Sequence, residues 1–445
     1  GVCGIDHAAE KPVSTLMSGP AAGVIGTQFI GNQHGYQNLI GLDIGGTSAD
    51  ITVVPGRLLE INYQDCIIAG YPVLFPQLDV ISIGAGGGSI AWGDSGGGFN
   101  VGPKSAGAEP GPACYGRGGT EPTVTDAHLL LGRIDPERFL GGRIKLQRDL
   151  SEQAMKSTIC QQFQMDLTEA ALSTLEIVNA NMIKAIRIHS IQRGYDPREF
   201  ALVAFGGAGP LHACDIADEL DIPVILIPPA PGINSAMGLL ATDLKFDVIR
   251  TVGMMLDSAD EQRMENNFAE MIEEVKAQLH QSAENGQERQ IAVTQQLDCR
   301  YVGQGYELSI PFNGFHDNWQ KTVQEQFDQK HMETYGFAFP GNPVEIINLR
   351  VQGVGTMPPF DSVPIEEGGS DSSHAIVKHG KMIFGKPKNY QTYEVPQYDR
   401  PLLKKGNRIS GPAMVNMLDS TIVIHPDWEG EVLGDGTIRL TKKAQ

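Results

Sequence analysis

The chain has 445 residues, 41% of them apolar and 20% charged, the composition of a folded globular protein of about three domains. Its 53 acidic against 34 basic side chains leave a net charge of −19, which argues against a general binder of nucleic-acid backbone, since such proteins cluster basic residues. The six cysteines stand far apart with no CxxC pair, and no run of about 18 apolar residues occurs, so a disulfide framework, a zinc knuckle and a membrane span are disfavoured and a reducing cytoplasm is expected.

Glycine is concentrated in the first third, at Gly45-Gly46, Gly84 to Gly88, Gly96 to Gly98 and Gly116 to Gly119, between β-branched strands, which predicts ordered tight loops. A helix is predicted over 19–31, opened by Ser18 as N-cap with Pro20 in its first turn. Strands are predicted near 38–43, 50–54 and 58–63, and extended chain over 73–83. Residues 102–123 form a Gly/Pro-rich segment of a length that usually carries function or disorder. A short helix over 124–132 precedes a strong one over 168–193, where Leu172, Leu175, Val178, Met182, Ile183 and Ile186 keep helical spacing and Gly194 marks the stop. "FALVAFGGAGP" reads as strand, glycine turn and helix; "PVILIPP" as a strand; "GINSAMGLLATDL" as a small-residue helix. Beyond about 257, Met264, Phe268, Met271, Ile272, Val275 and Leu279 share one face of an acidic helix. Alternation over 291–312 and 344–355 predicts strands, and 410–440 predicts short strands joined by Pro and Gly turns. Strands alternating with helices predict an α/β domain, expected over 1–250, followed by a mixed, β-rich α+β region over 251–445.

Two segments share a strand followed by a glycine pair: "GLDIGGTSADITVV" (41–54) and "AFGGAGP" (204–210). Glycine lets successive N–H groups approach phosphate oxygens. Asp43 and Asp50 repel phosphate directly, but they can engage it through Mg²⁺ and its waters, or Asp43 can orient an attacking water. Neither a GxxxxGK[ST] loop nor a GxGxxG in a Rossmann setting is present.

The first of these segments resembles the second phosphate loop of the actin, sugar-kinase and heat-shock-chaperone ATPase superfamily, and the second resembles its adenosine loop. "SGPAAGVIG" and "GINSAMGLLATD" are similar to its two connecting helices. Within that superfamily, "SIGAGGGSIAW", "VGPKSAGAEPGPACYGRGGTEPTVTDAHLLLGR", "RGYDPREFALVAFGGAGPLHA" and the tail "GPAMVNMLDSTIVIHPDW" resemble the hydantoinase A / 5-oxoprolinase family. The resemblance implies an actin-like (ribonuclease H-like) ATPase domain and the ATP-dependent hydrolytic opening of a cyclic amide through a phosphorylated intermediate, often with a B-type subunit. Ketone carboxylases of the same family would use ATP to activate an enolate and bicarbonate, and a non-catalytic assembly subunit would keep the fold without turnover. The family's earlier D-x-G-G-T phosphate loop lies well upstream, whereas this chain begins at Gly1, only 42 residues before Asp43. A second polypeptide supplying that lobe, or a fragment, is therefore expected.

The resemblance assigns Asp43 and Asp50 to catalysis, with Asp43 holding Mg²⁺ through water; the bland alternative is a pair of turn aspartates. Gly45, Gly46, Thr47 and Ser48 are assigned to phosphate, and Gly206, Gly207 and Gly209 to adenosine. Lys184 and Arg187 share a helix face, either toward the adenosine end or as a solvated surface. Gly86 and Gly87 are candidates for the cleft lining. Asp126 and His128 are candidates for a substrate-facing role, Asp126 being alternatively a helix cap and His128 a surface histidine. Cys114 has no evident base partner.

Overall fold

The computed structural model describes residues 5–10, 12–61, 67, 68, 70–73, 77–281, 290–357 and 363–443. Cys3 and Cys66, part of the strand expected over 58–63 and part of the extended chain expected over 73–83 lie outside the described residues. Two compact units emerge, one of Gly1–Thr15 and Ala241–Phe360, the other of Leu16–Leu240 and Asp361–Gln445. Among the described residues no helix is long and apolar enough to cross a membrane.

The larger unit is built on an eight-stranded sheet. Its strands are β1 (Asn38–Ile44), β2 (Ala49–Pro55), β3 (Ile81–Ile83), β4 (Ala201–Phe205), β5 (Val224–Ile227), β6 (Arg408–Ser410), β7 (Trp428–Val432) and β8 (Ile438–Lys442), in the order β6-β7-β8-β5-β4-β1-β2-β3. β1 runs parallel to β4 and antiparallel to β2. Side chains alternate across a strand, so Ile40, Leu42 and Ile44 enter one buried cluster while Leu39, Val54, Val203 and Phe205 enter another. Burial on both faces explains why β1 and β4 read as nearly continuous apolar runs.

Two helices with small residues cover one face: α1 (Ser18–Gln33) and, after the helices α2 (Val124–Leu130), α3 (Leu167–His189) and α4 (Gly209–Glu219), α5 (Asn234–Leu240). Added methyls show how near α1 and α5 lie: a Cβ at Gly26 would stand 2.7 Å from Asn234 O, and one at Gly238 would run into Ala22 O. The small residues thus let these two helices approach closely. The N-cap of α1 is Met17, without a side-chain cap bond; Ser18 lies already inside the helix. The opposite face carries α3, whose stripe of Leu172, Leu175, Val178, Met182 and Ile186 is buried as the helical spacing predicted.

The expected cut into 1–250 and 251–445 does not match the two units. Residues 363–443 belong instead to the larger unit, where β8 pairs antiparallel with β5 from Val224↔Thr441 to Ile227↔Ile438. Such pairing joins residues far apart in the chain, and no local pattern announces it. The smaller unit has a four-stranded antiparallel sheet ordered Leu244–Met255, Val344–Gly355, Ile291–Tyr301, Leu308–Phe312. The helix Glu261–Gln281 lays Met264, Phe268, Met271, Val275 and Leu279 against it, and the absent side chain of Gly353 leaves room for Val275 Cγ1.

Candidate functional site

The turn between β1 and β2 sets the site. In their antiparallel register Asp43 faces Asp50 and Ile44 faces Ala49, so the two carboxylates form a directly opposed like-charge pair, an arrangement that destabilises a ladder. On its other side Asp43 is aligned with Phe205, the last residue of β4, which brings the second glycine turn alongside. Ala208 N donates to Ile44 O at 2.9 Å, and Gly206 N donates to Pro231 O at 2.9 Å. Gly206 has φ +77°, and a Cβ there would run into Asp43 Oδ1 and Ile44 O. Glycine is required at this position on both counts.

Each carboxylate has a serine. Ser235 of α5 donates to Asp43 Oδ2 at 3.2 Å, and Ser82 of β3 donates to Asp50 Oδ1. Burial pushes the Asp43 carboxyl up to about 6; the Ser235 hydrogen bond draws it down, and the charge of Asp50 pushes it up. A carboxyl poised near neutrality suits proton transfer, and a cation beside the pair would relieve both the burial cost and the mutual repulsion.

A third glycine segment braces the turn. Gly87 N donates to Gly45 O at 3.0 Å and Gly88 N to Gly46 O at 2.6 Å. Gly87 O in turn accepts from Thr125 N and from Thr125 Oγ1, both at 2.8 Å. Gly46 and Thr47 are left exposed at the tip. Gly86→Ala would place a Cβ 2.7 Å from Thr47 N, against backbone that cannot rotate away. The expected result is a displaced turn and a loss of stability of about 1 to 3 kcal/mol, checked by denaturant unfolding.

Gly45, Gly46 and Gly207 line a cavity of about 130 Å³ together with Tyr115, Phe139 and Asp419. The turn 417–421 closes over it: Asp419 Oδ2 accepts from Gly232 N at 2.8 Å, and Ser420 Oγ donates to Gly207 O at 3.2 Å. Sequence reasoning missed Ser82, Ser235 and this turn. Ser235 lay in a segment noticed only for its small residues, and Asp419 is 212 positions beyond Gly207.

Asp43, Asp50, Gly45, Gly46, Thr47, Ser48, Gly86, Gly87, Gly206, Gly207 and Gly209 gather at these adjoining turns, Gly209 beginning α4 with room for Leu42 O beside it. Lys184 and Arg187 are not brought there. They stand on the exposed stripe of α3 and line a different cavity, where Arg187 Nη2 lies 3.7 Å from Glu219. Asp126 and His128 do not face a cleft either, being 0% and 1% exposed. Asp126 accepts from Ala113 N, Cys114 N, Thr123 N, Thr123 Oγ1 and Ser151 Oγ at 2.6 to 3.2 Å, which completes a capping box on α2 and orders the end of the Gly/Pro-rich segment. His128 Nε2 lies 3.1 Å from His212 Nε2. Cys114 is buried, and desolvation and the charge of Asp126 raise its thiol far above the reactive range. Among the described residues no group of three or more metal-ligating side chains occurs.

The mixed α/β fold resembles those of two solved ATP-dependent enzymes. The nucleotide-free structure of acetone carboxylase superposes with a TM-score of 0.81 at 25% identity, over 96% of this chain and 62% of that one. The ATP-dependent caprolactamase of Pseudomonas jessenii gives 0.75 at 32% identity, again over 96% and 62%, and the sequence of its alpha subunit is 33% identical over 97% of this chain. Residues 1–248 match the hydantoinase/oxoprolinase family model and residues 255–438 that of the hydantoinase/oxoprolinase C-terminal domain; the chain belongs to the hydantoinase/oxoprolinase family. An uncharacterized protein of Methanocaldococcus jannaschii is 37% identical over 99% of this chain. The chain spans 64% of that relative and 62% of the caprolactamase subunit.

Proposed function

We propose that this chain is the ATP-using subunit of an enzyme that opens a cyclic amide, acting as part of a multi-chain cytoplasmic assembly with a B-type partner. The opposed Asp43–Asp50 pair beside two interlocked glycine turns carries the reading. We read the strand order β3-β2-β1-β4-β5, with β2 reversed, as the ribonuclease H-like core of an actin-like ATPase. In this reading the β1–β2 turn, Gly45 to Ser48, offers N–H groups and hydroxyls to phosphate oxygens, and the cavity beside Tyr115 and Phe139 takes the base. Asp43 and Asp50 fit Mg²⁺, which characteristically binds one or two carboxylates and keeps its waters and substrate phosphates as the remaining ligands.

An amide carbonyl is a poor electrophile. Transfer of the γ-phosphoryl group of ATP to the amide oxygen, with ADP leaving, would make the ring carbon electrophilic; water would add to it, the ring C–N bond would break with the nitrogen leaving as the amine, and the acyl phosphate so formed would hydrolyse to carboxylate and phosphate. Asp43, poised near neutrality and held by Ser235, orients the reacting water or takes its proton. Asp50, held by Ser82, would be the second carboxylate facing a bound Mg²⁺. The interlocked turns hold these groups in place before substrate arrives, and such preorganised placement is the protein's main contribution to phosphoryl transfer.

The similarity to acetone carboxylase at a TM-score of 0.81 favours a second reading, ATP-dependent carboxylation of a ketone. Product analysis separates the two. Incubation of the assembled enzyme with ATP and small lactams is expected to release amino acid, ADP and phosphate without bicarbonate. A bicarbonate requirement and a carboxylated ketone product would replace the first reading with the second. Unaltered ATP with every substrate would leave the chain as an assembly subunit.

A further inference from the structure

A further cavity lies outside these turns. It has a volume of about 500 Å³ and is lined by α3, the C-terminal half of α4 and the turn at Gly385 to Pro387, within the size range of small-molecule sites. Leu172, Leu175 and Ile183 give it an apolar wall, and Lys184 and Lys386 stand at its edge. Arg187 and Arg133, which also line it, are matched by Glu219 and Asp215. Among the described residues Lys184 and Lys386 make no ion pair, and neither does Glu176, two helical turns before Lys184.

The wall also holds Asn179, 7% exposed and fixed from behind. His212 Nδ1 lies 2.7 Å from Asn179 Oδ1, and His212 Nε2 lies 3.1 Å from His128 Nε2. If His212 donates from Nδ1, its Nε2 accepts from His128, and only the bare lone pair of His128 Nδ1 is left unpartnered in the interior. The reverse chain would strand an N–H there, the costlier defect. The first arrangement therefore holds, with Asn179 Oδ1 engaged and its Nδ2–H₂ offered to the cavity. Arg133, 2% exposed, adds a buried Nε without a partner.

We propose that this cavity binds a small carboxylate carried on an apolar body, with the carboxylate on Lys184, Lys386 and the Asn179 amide and the body on Leu172, Leu175 and Ile183. It is a site separate from the glycine turns and does not depend on the reading of those turns. Two sources share the chemistry: a fatty acid, and a ring-opened lactam whose amine would meet Glu176.

Calorimetric titration of the full chain with octanoate and with 6-aminohexanoate tests the proposal. Saturable binding of either is expected, weakened about tenfold or more by joint Lys184→Gln and Lys386→Gln substitution. Ala180→Trp, an exposed helix position on the cavity wall, is expected to fill the space and abolish binding while leaving the melting temperature unchanged. Preference for octanoate assigns the site to a fatty acid. Preference for 6-aminohexanoate, lost in Glu176→Gln, assigns it to the ring-opened product. Binding of neither acid, or unchanged affinity in Ala180→Trp, overturns the proposal, as does an Ala180→Trp variant that loses association with another chain yet still binds the acid.

Discussion

Asp43→Asn is expected to lower ATP-driven turnover of the assembled enzyme by at least about 10²-fold, the scale of a lost acid–base or charge-stabilising group, while the fold is kept or strengthened. Asn preserves shape and still faces Ser235, but it can neither hold a cation by charge nor take a proton. The folded protein holds the Asp43 carboxyl up at about 6 against an ordinary 3.8. A raised carboxyl gives stability that is present below the ordinary value and is lost as pH rises through about 6. At pH 7 to 8 the wild-type chain therefore bears the cost of an ionised, half-buried carboxylate opposite Asp50, about 3 kcal/mol at most by the shift. The variant should melt at the same or a higher temperature than wild type at pH 8, and the difference should vanish by about pH 4. Thermal melts across that range, paired with turnover, read both effects. Turnover near the wild-type level would remove Asp43 from the chemistry.

Asp126→Ala is expected to do the opposite: to destabilise strongly without touching a reacting group. Five donors converge on this fully buried carboxylate. Removing it leaves backbone N–H groups at Ala113, Cys114 and Thr123 buried without partners, and it undoes the cap of α2. Losses of this kind run to about 3 to 5 kcal/mol. Denaturant unfolding should show it, with any loss of activity tracking the fraction unfolded. A variant as stable as wild type but inactive would return Asp126 to the active site.

The contrast between these aspartates marks what the residues reveal in sequence. Asp43 was legible because a glycine pair directly follows its strand and Asp50 resumes the next one, a local pattern with few uses. Asp126 carried an equally polar signal, and only the fold shows that its lone pairs are spent on the Gly/Pro-rich segment before it and on Ser151. Lys184 and Arg187 were correctly placed on one helix face, but helical spacing does not say which neighbour that face meets. The main strands and helices near the site emerged from periodicity because β1 and β4 are buried on both faces and α3 on one. The return of β6, β7 and β8 to the first sheet, and the closure of turn 417–421 over Gly207, depend on pairing across more than 200 residues. No short pattern encodes such a partner.

The central claim is that nucleotide phosphates sit on the β1–β2 turn. Hydrogen exchange of the assembled protein, followed by mass spectrometry with and without Mg-ATP, tests it most directly, since an amide held by a phosphate oxygen exchanges more slowly. Protection is predicted in the peptides spanning Gly45 to Ser48 and Gly206 to Gly209, and it should be lost with Asp43→Asn. Nucleotide binding that leaves both turns unprotected would contradict the account.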